Sequence, residues 1–273
     1  GLVDLYFVQG GGRGGSAVPR NRLYKNNGDG AFEDITSASN TGDQGAGMGA
    51  LFCDLDSDGD LDLYVANYGL DVLYWNDGAG VFTEAEEGVI PALDLWSAGV
   101  AASDYDRDGD LDLYVTSYLD YDESKMPPMD ELERYHREDP VAMLPFAFPG
   151  QRNVFLRNDV KEDGSRVFTD VTEELGVVDE QGRGMQAIFW DFDQDGDDDL
   201  YVANDVSFNV LYRNEGDGTF RDVTFLVGLD DPRGGMGLTV GDVDRDGDED
   251  LFLTNWQLEA NALYQNNLIN RAG

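Results

Sequence analysis

Four stretches of this chain share one nine-residue acidic pattern, Asp-x-Asp-x-Asp-Gly-Asp-x-Asp. The first contains Asp54, Asp56, Asp58, Asp60 and Asp62, and the second Asp104, Asp106, Asp108, Asp110 and Asp112. The third contains Asp191, Asp193, Asp195, Asp197 and Asp199, and the fourth Asp242, Asp244, Asp246, Asp248 and Asp250. Their starts give a period of about 50 residues, interrupted once between 104 and 191. A second motif interleaves with the first: Asn21-Arg-Leu-Tyr-Lys-Asn26, Asp71-Val-Leu-Tyr-Trp-Asn76, Asn153-Val-Phe-Leu-Arg-Asn158, Asn209-Val-Leu-Tyr-Arg-Asn214 and Asn261-Ala-Leu-Tyr-Gln-Asn266. Three copies run into a glycine turn and an aromatic residue, at Phe32, Phe82 and Phe220.

Self-similarity at this period, with several short strands per unit, predicts an all-β fold: a β-propeller of four-stranded antiparallel blades. The first strand of a blade is small and apolar, as in Gly47–Phe52 or Gly235–Val240. The second follows the acidic loop, as in Leu61–Val65. The third is the Leu-Tyr-x-Asn segment, and the fourth runs from the aromatic residue to Asp-Val-Thr, as in Phe220–Thr224. Gly1–Tyr6 aligns with Gly59–Tyr64, so the chain enters at the glycine of a fifth acidic loop. About five blades are expected within a single domain over 1–273, the first and last incomplete.

The long interval marks an insertion at 118–150, between the second and third strands of one blade. Within it, Met129–His136 has helical character. Met143–Pro149 is apolar but broken by proline, which predicts an irregular packed loop.

Five carboxylates in nine residues repel one another unless a cation sits among them. The glycine permits a turn that other residues resist, and side chains at positions 1, 3 and 5 then converge. Calcium suits such a site because it accepts six to eight hard oxygen ligands in flexible geometry, and about four structural ions are expected. An EF-hand is excluded, since its loop ends in a bidentate Glu at position 12. Here that place is Val65, Val115, Val202 or Leu253, and the flanks alternate like strands. The Asp at position 9 takes the closing role, and position 7 offers its backbone carbonyl.

Charge agrees with this reading. The chain carries 56 acidic and 18 basic residues, a net charge of −38. That balance argues against nucleic acid as a partner, and no apolar run is long enough to span a bilayer. One cysteine, Cys53, leaves no intrachain disulfide, so metal replaces disulfides as the staple. The first residues have no signal-like stretch, so any export signal is expected upstream or removed.

The loops with their flanking strands resemble FG-GAP repeats, the calcium-binding blades of integrin α-subunit propellers. Phe189–Asn255 is also similar to the ASPIC/UnbV, cartilage-acidic-protein-like family. The carrying elements are Val202-Ala-Asn-Asp205, Asn209–Asn214, Phe220 and Gly235-Met-Gly237. The resemblance implies an extracellular, secreted, calcium-stabilised propeller that acts in adhesion or in matrix.

The remaining signals are read as structural. His136 is a surface residue, Cys53 a buried one, and Gln9–Ser16 a connection between strands that lacks the ending of a phosphate loop. Trp75, Trp96, Trp190 and Trp256 are assigned to blade packing. The leading functional expectation is a non-enzymatic binding or adhesion scaffold for a protein or glycan ligand. Its alternative is a structural subunit of an extracellular assembly that contacts copies of itself. A polysaccharide-active enzyme stands third, because the notable carboxylates are committed to metal.

Overall fold

Ala46-Gly-Met-Gly-Ala-Leu-Phe-Cys53 forms strand β4 (Ala46–Cys53), and its small residues have a steric cause. A Cβ on Gly49 would fall 2.7 Å from the carbonyl oxygen of Ala98 on β8 (Asp94–Ser103), so the two first strands approach at backbone distance. The computed structural model describes residues 2–10, 20–125 and 144–267.

Strand β4 opens an antiparallel meander with β5 (Asp62–Leu70), β6 (Val72–Asn76) and β7 (Phe82–Glu84). The same order recurs twice. It appears as β8, β9 (Asp112–Ser117), β10 (Val154–Val160) and β11 (Arg166–Asp170), then as β12 (Gly184–Trp190), β13 (Asp199–Asn204), β14 (Val210–Asn214) and β15 (Phe220–Asp222). Two further sheets have three strands among the described residues: β1 (Leu5–Phe7), β2 (Arg22–Asn26) and β3 (Phe32–Asp34), and β16 (Gly235–Gly241), β17 (Asp250–Asn255) and β18 (Ala262–Tyr264). The all-β expectation of four-stranded antiparallel blades is therefore met. The end of β5 also pairs with β8 through Tyr68↔Trp96, which joins two blades into one eight-stranded sheet.

Register repeats with the sequence. Leu5↔Tyr24, Leu63↔Tyr74, Leu200↔Tyr212 and Leu251↔Tyr264 are equivalent cross-strand pairs. The register slips at one place in β4, β12 and β16, beside Met48, Met185 and Met236, the position at which an extra residue bends an inner strand.

Contacts divide the chain into two compact units, Gly1–Val115 with Phe155–Val171, and Thr116–Val154 with Thr172–Gly273. In the first unit, Leu23, Leu63, Val65, Tyr74 and Phe82 form a buried cluster against Tyr6, Ile35 and Phe52. In the second, Trp190, Tyr201, Leu211, Val223 and Leu251 do the same against Ile188, Leu238 and Tyr264. Each cluster draws on two successive sheets, so burial between blades supplies the driving force, roughly 1.5–3 kcal/mol for each large side chain fully removed from water.

The Asn-x-Leu-Tyr-x-Asn motif clamps each second hairpin at the end where the connecting loop joins its strands. The side-chain oxygen of its first residue accepts the backbone N–H that closes the preceding strand: Gln9 N to Asn21, Asn67 N to Asp71, Ser117 N to Asn153, Asn204 N to Asn209 and Asn255 N to Asn261, all at 2.7–3.0 Å.

The fourth strand is shorter than the sequence reading. It stops at Asp222, and Thr224–Val227 forms one helical turn instead. The cause is local. The Asp222 carboxylate accepts from both the Thr224 N–H and its hydroxyl, and the hydroxyl oxygen takes the Leu211 N–H at 2.8 Å. Asp34 and Thr36 repeat this bond set ahead of the turn Thr36–Ser39.

At the base of the insertion, a bridge between Leu119 and Gly150 and a bond from Asp120 N to Pro149 O hold the two ends together. Leu144–Ala147 is one helical turn, where the sequence suggested an irregular loop. Pro145 causes no conflict, because proline is tolerated in the first turn of a helix. The helix expected over Met129–His136, and His136 itself, lie outside the described residues. No helix among the described residues is long and apolar enough to cross a membrane.

Candidate metal centres

Each acidic loop joins the first strand of a blade to its second, and all four adopt one backbone path. The sixth residue has a positive φ of +95 to +98° in Gly59, Gly109, Gly196 and Gly247, a region in which a Cβ is strained. The fourth residue is also left-handed although it is not glycine: Ser57, Arg107, Gln194 and Arg245 have φ of 58–66°. A non-glycine residue held there costs on the order of 1 kcal/mol, so the rest of the loop must enforce the turn. The enforcing bonds are visible. The glycine N–H donates to the position 1 carboxylate in every loop, at 2.9–3.2 Å. The position 7 N–H donates to the position 5 carboxylate, at 2.9–3.3 Å.

This path gathers carboxylates. Asp54, Asp56 and Asp58 offer oxygens within 4.8 Å of one another, as do Asp104, Asp106 and Asp108, and Asp242, Asp244 and Asp246. In the third loop the gathered set is Asp191, Asp193 and Asp199, with the position 9 residue in place of Asp195 at position 5. In three of the loops the position 7 side chain is turned elsewhere. Asp110 pairs with Arg166 at 2.5 Å and accepts from the Ser57 hydroxyl, and that guanidinium holds its carboxyl below the usual range. Asp60 and Asp197 lie against the turns at Gly78 and Gly216. Their side chains are thus not in the gathered sets, which leaves the position 7 carbonyl as the expected contribution.

Position 9 has a role that spacing did not reveal. Asp62 is fully buried, and its two oxygens accept the N–H of Leu55 within the loop and of Asn76 at the end of the third strand. Asp199 does the same with Phe192 and Asn214, and Asp250 with Val243 and Asn266. Asp112 accepts from Asn158. Asp4 accepts from Asn26 in the first sheet, as its alignment with Asp62 requires. The last residue of the Asn-x-Leu-Tyr-x-Asn motif is therefore the partner of the position 9 aspartate. A carboxylate has about four lone-pair sites, so these bonds leave room for a cation.

Electrostatics of the bare cradle are unfavourable. Burial, and then the neighbouring carboxylates, raise the pKa of Asp56, Asp106 and Asp193. Burial pushes Asp62 up to about 6, and Asp112 and Asp199 up to about 8, despite the N–H bonds that favour their charged forms. Asp104 Oδ1 and Asp193 Oδ1 are sealed from solvent and meet no hydrogen-bond donor. A sealed carboxylate oxygen of this kind is costly unless a cation or a donor lies beside it. The donors are all hard oxygens in an acidic shell, so the residues fit calcium better than any nitrogen- or sulfur-seeking metal.

An FG-GAP-like repeat profile matches residues 1–65, 54–115 and 191–253, together more than half of the chain. The chain belongs to the FG-GAP-like repeat family. Its relatives include human cartilage acidic protein 1, which is 41% identical over 59 residues, 21% of this chain and 9% of that protein. The Xenopus tropicalis protein of the same name is 33% identical over 94 residues, 34% of this chain and 14% of that protein. The chain thus aligns with only a small part of these relatives. Among solved structures, a lectin from Agrocybe aegerita, described for its recognition of non-reducing terminal N-acetylglucosamine, overlaps with a TM-score of 0.46 at 14% identity. That overlap covers 91% of this chain and 56% of the lectin.

The other residues singled out by sequence fall as follows in this FG-GAP-like chain. Cys53 is buried, and burial followed by the Asp62 and Asp54 charges pushes its thiol up to about 12. Trp190 lies in the core and Trp96 stacks edge-on against Tyr68, but Trp256 is 47% exposed and does not join the packing expected of it. The reason is its place just beyond β17, in a turn.

Proposed function

We propose that this chain is an extracellular, calcium-stabilised blade scaffold that binds a protein or glycan partner and is not an enzyme. The observation that carries the reading is repetition: one backbone path, one glycine latch and one buried position 9 aspartate recur in each acidic loop. A catalytic metal site is expected once per chain, with an open position and a distinct acid or base beside it. A cradle built into every blade is what a staple of the fold requires. Bound calcium would neutralise the gathered carboxylates and tie the first strand of a blade to its second. Asp54, Asp56, Asp58 and Asp62, with their counterparts in the other loops, would hold it, together with the carbonyl of position 7.

Family membership and the similarity to cartilage acidic protein 1 support an extracellular setting. Extracellular calcium modules bind at about 10⁻⁴–10⁻³ M. At ~2 mM calcium each site would then stabilise the fold by roughly 0.6–1.8 kcal/mol. Over four such sites that is a sizeable share of the ~5–15 kcal/mol of a typical domain. The test is a set of thermal melts in calcium, in magnesium alone and in chelator. The reading requires a marked loss of melting temperature on chelation, restored by calcium and only partly by magnesium. Coincident melts in the three conditions would overturn it.

A further inference from the structure

The acidic loops are not isolated from one another. Asn158, buried within β10, donates its backbone N–H to Asp112 Oδ1, position 9 of the second loop, at 2.8 Å. Its side-chain amide donates to the Leu111 carbonyl of that loop and, at 2.7 Å, to the Leu55 carbonyl of the first loop. Leu55 lies between the carboxylates of positions 1 and 3, and its own N–H is held by Asp62. One asparagine therefore fixes the closing residue of one cradle and the floor of the preceding one.

The same connection recurs in the second unit. Asn266 donates its N–H to Asp250 Oδ1 of the fourth loop, and its side-chain amide donates to the Phe192 carbonyl of the third loop at 2.7 Å. A second link runs beside each. The Ser57 hydroxyl of the first loop donates to Asp110 of the second, and the Gln194 amide of the third donates to the Gly247 carbonyl of the fourth, both at 3.0 Å. In the first pair Arg166 adds a further tie, with one arm on Asp110 and one on the Asp56 carbonyl.

We infer that calcium binding is coupled between loops 54–62 and 104–112, and likewise between loops 191–199 and 242–250, with Asn158 and Asn266 as the positioning residues that carry the coupling. This inference rests on the calcium reading above. Closing the later loop of a pair draws its position 9 aspartate onto the asparagine N–H. That orders the asparagine side chain, which then holds the earlier loop in its binding form. Because coupling between sites is reciprocal, filling the earlier loop must favour the later one equally.

The glycine N–H of each loop, bonded to the position 1 carboxylate, is a site-resolved reporter. The experiment follows the amide resonances of Gly59, Gly109, Gly196 and Gly247 by nuclear magnetic resonance while the full chain is titrated with calcium. In the double variant Asp106→Ala/Asp108→Ala, the Gly59 midpoint should rise at least about fivefold, the lower end of typical site–site coupling. Far-ultraviolet circular dichroism in saturating calcium should match that of the unaltered chain, which controls for the fold. In Ser57→Ala, which removes one exposed link, the Gly59 and Gly109 midpoints should separate and their curves should lose steepness. An unmoved Gly59 midpoint in the double variant would overturn the inference and leave calcium binding intact. So would a Gly59 rise that comes with loss of the folded spectrum, which is general loosening. Four glycines silent to calcium would overturn both readings.

Discussion

Asp71 stands where the other four repeats have asparagine, and the substitution Asp71→Asn tests the hairpin clamp quantitatively. The Asp71 carboxylate is buried and accepts from the Asn67 N–H, the Tyr64 hydroxyl and the Ser97 hydroxyl at 2.8–2.9 Å. Burial outweighs these three bonds and pushes its pKa from 3.8 up to about 6. A carboxyl with a higher pKa in the folded chain holds its proton more tightly there. Its contribution is thus fully present below the unfolded value and is lost as pH rises through 6. The shift of about two units corresponds to about 3 kcal/mol of lost stability once the group is charged. Asn209 shows how an amide performs the clamp: its oxygen takes the Asn204 N–H at 2.8 Å and its amide donates to the Tyr201 hydroxyl at 3.0 Å. Asp71→Asn should copy that arrangement and forgo about 1 kcal/mol at the Ser97 hydroxyl. The net effect is a stabilisation of about 2 kcal/mol at pH 7.5 that shrinks to about 0.5 kcal/mol at pH 5. Urea denaturation of both proteins in saturating calcium, at several pH values in that range, measures the difference directly. A difference that stays flat with pH, or a destabilised variant at pH 7.5, would refute the reasoning.

Thr224→Val keeps the shape of the side chain and removes the hydroxyl that ends β15, so it should cost about 1–2 kcal/mol in denaturant midpoint, with Thr224→Ser recovering most of it. Cys53, buried and with its thiol pushed up to about 12, should resist maleimide labelling in the native chain and react once urea unfolds it; rapid native labelling would place it at the surface.

The blade was legible in the sequence because its two motifs repeat. The acidic loop and Asn-x-Leu-Tyr-x-Asn fix the ends of the second and third strands, and the observed register pairs Leu63 with Tyr74 as the repeats require. The gathered carboxylates were legible for the same reason, since an alternating run with glycine at its sixth place can turn in few ways. What spacing could not reveal was what the side chains at positions 7 and 9 bond to. Position 7 is turned outward onto Arg166 and Ser57 in the second loop, and position 9 is buried under two backbone donors in the first, third and fourth. Both depend on residues from another strand or loop. The asparagine links between loops were hidden for the same reason, because Asn158 and Leu55 are distant in sequence and meet only when the blades pack. The short fourth strand was within reach: Asp-Val-Thr offers a carboxylate and a hydroxyl at the spacing that turns a chain, and this local bonding competes with strand. The odd residue Asp71 was also visible, as the one acid in a column of asparagines.

The central claim is that every acidic loop is a structural calcium site, and a diffraction structure of the chain grown in calcium tests it most directly. The account predicts one ion in each of the four loops, with oxygen ligands at about 2.3–2.6 Å from the side chains of positions 1, 3, 5 and 9 and the carbonyl of position 7. Loops that remain metal-free in saturating calcium, or a single ion with an open coordination place in only one loop, would contradict it.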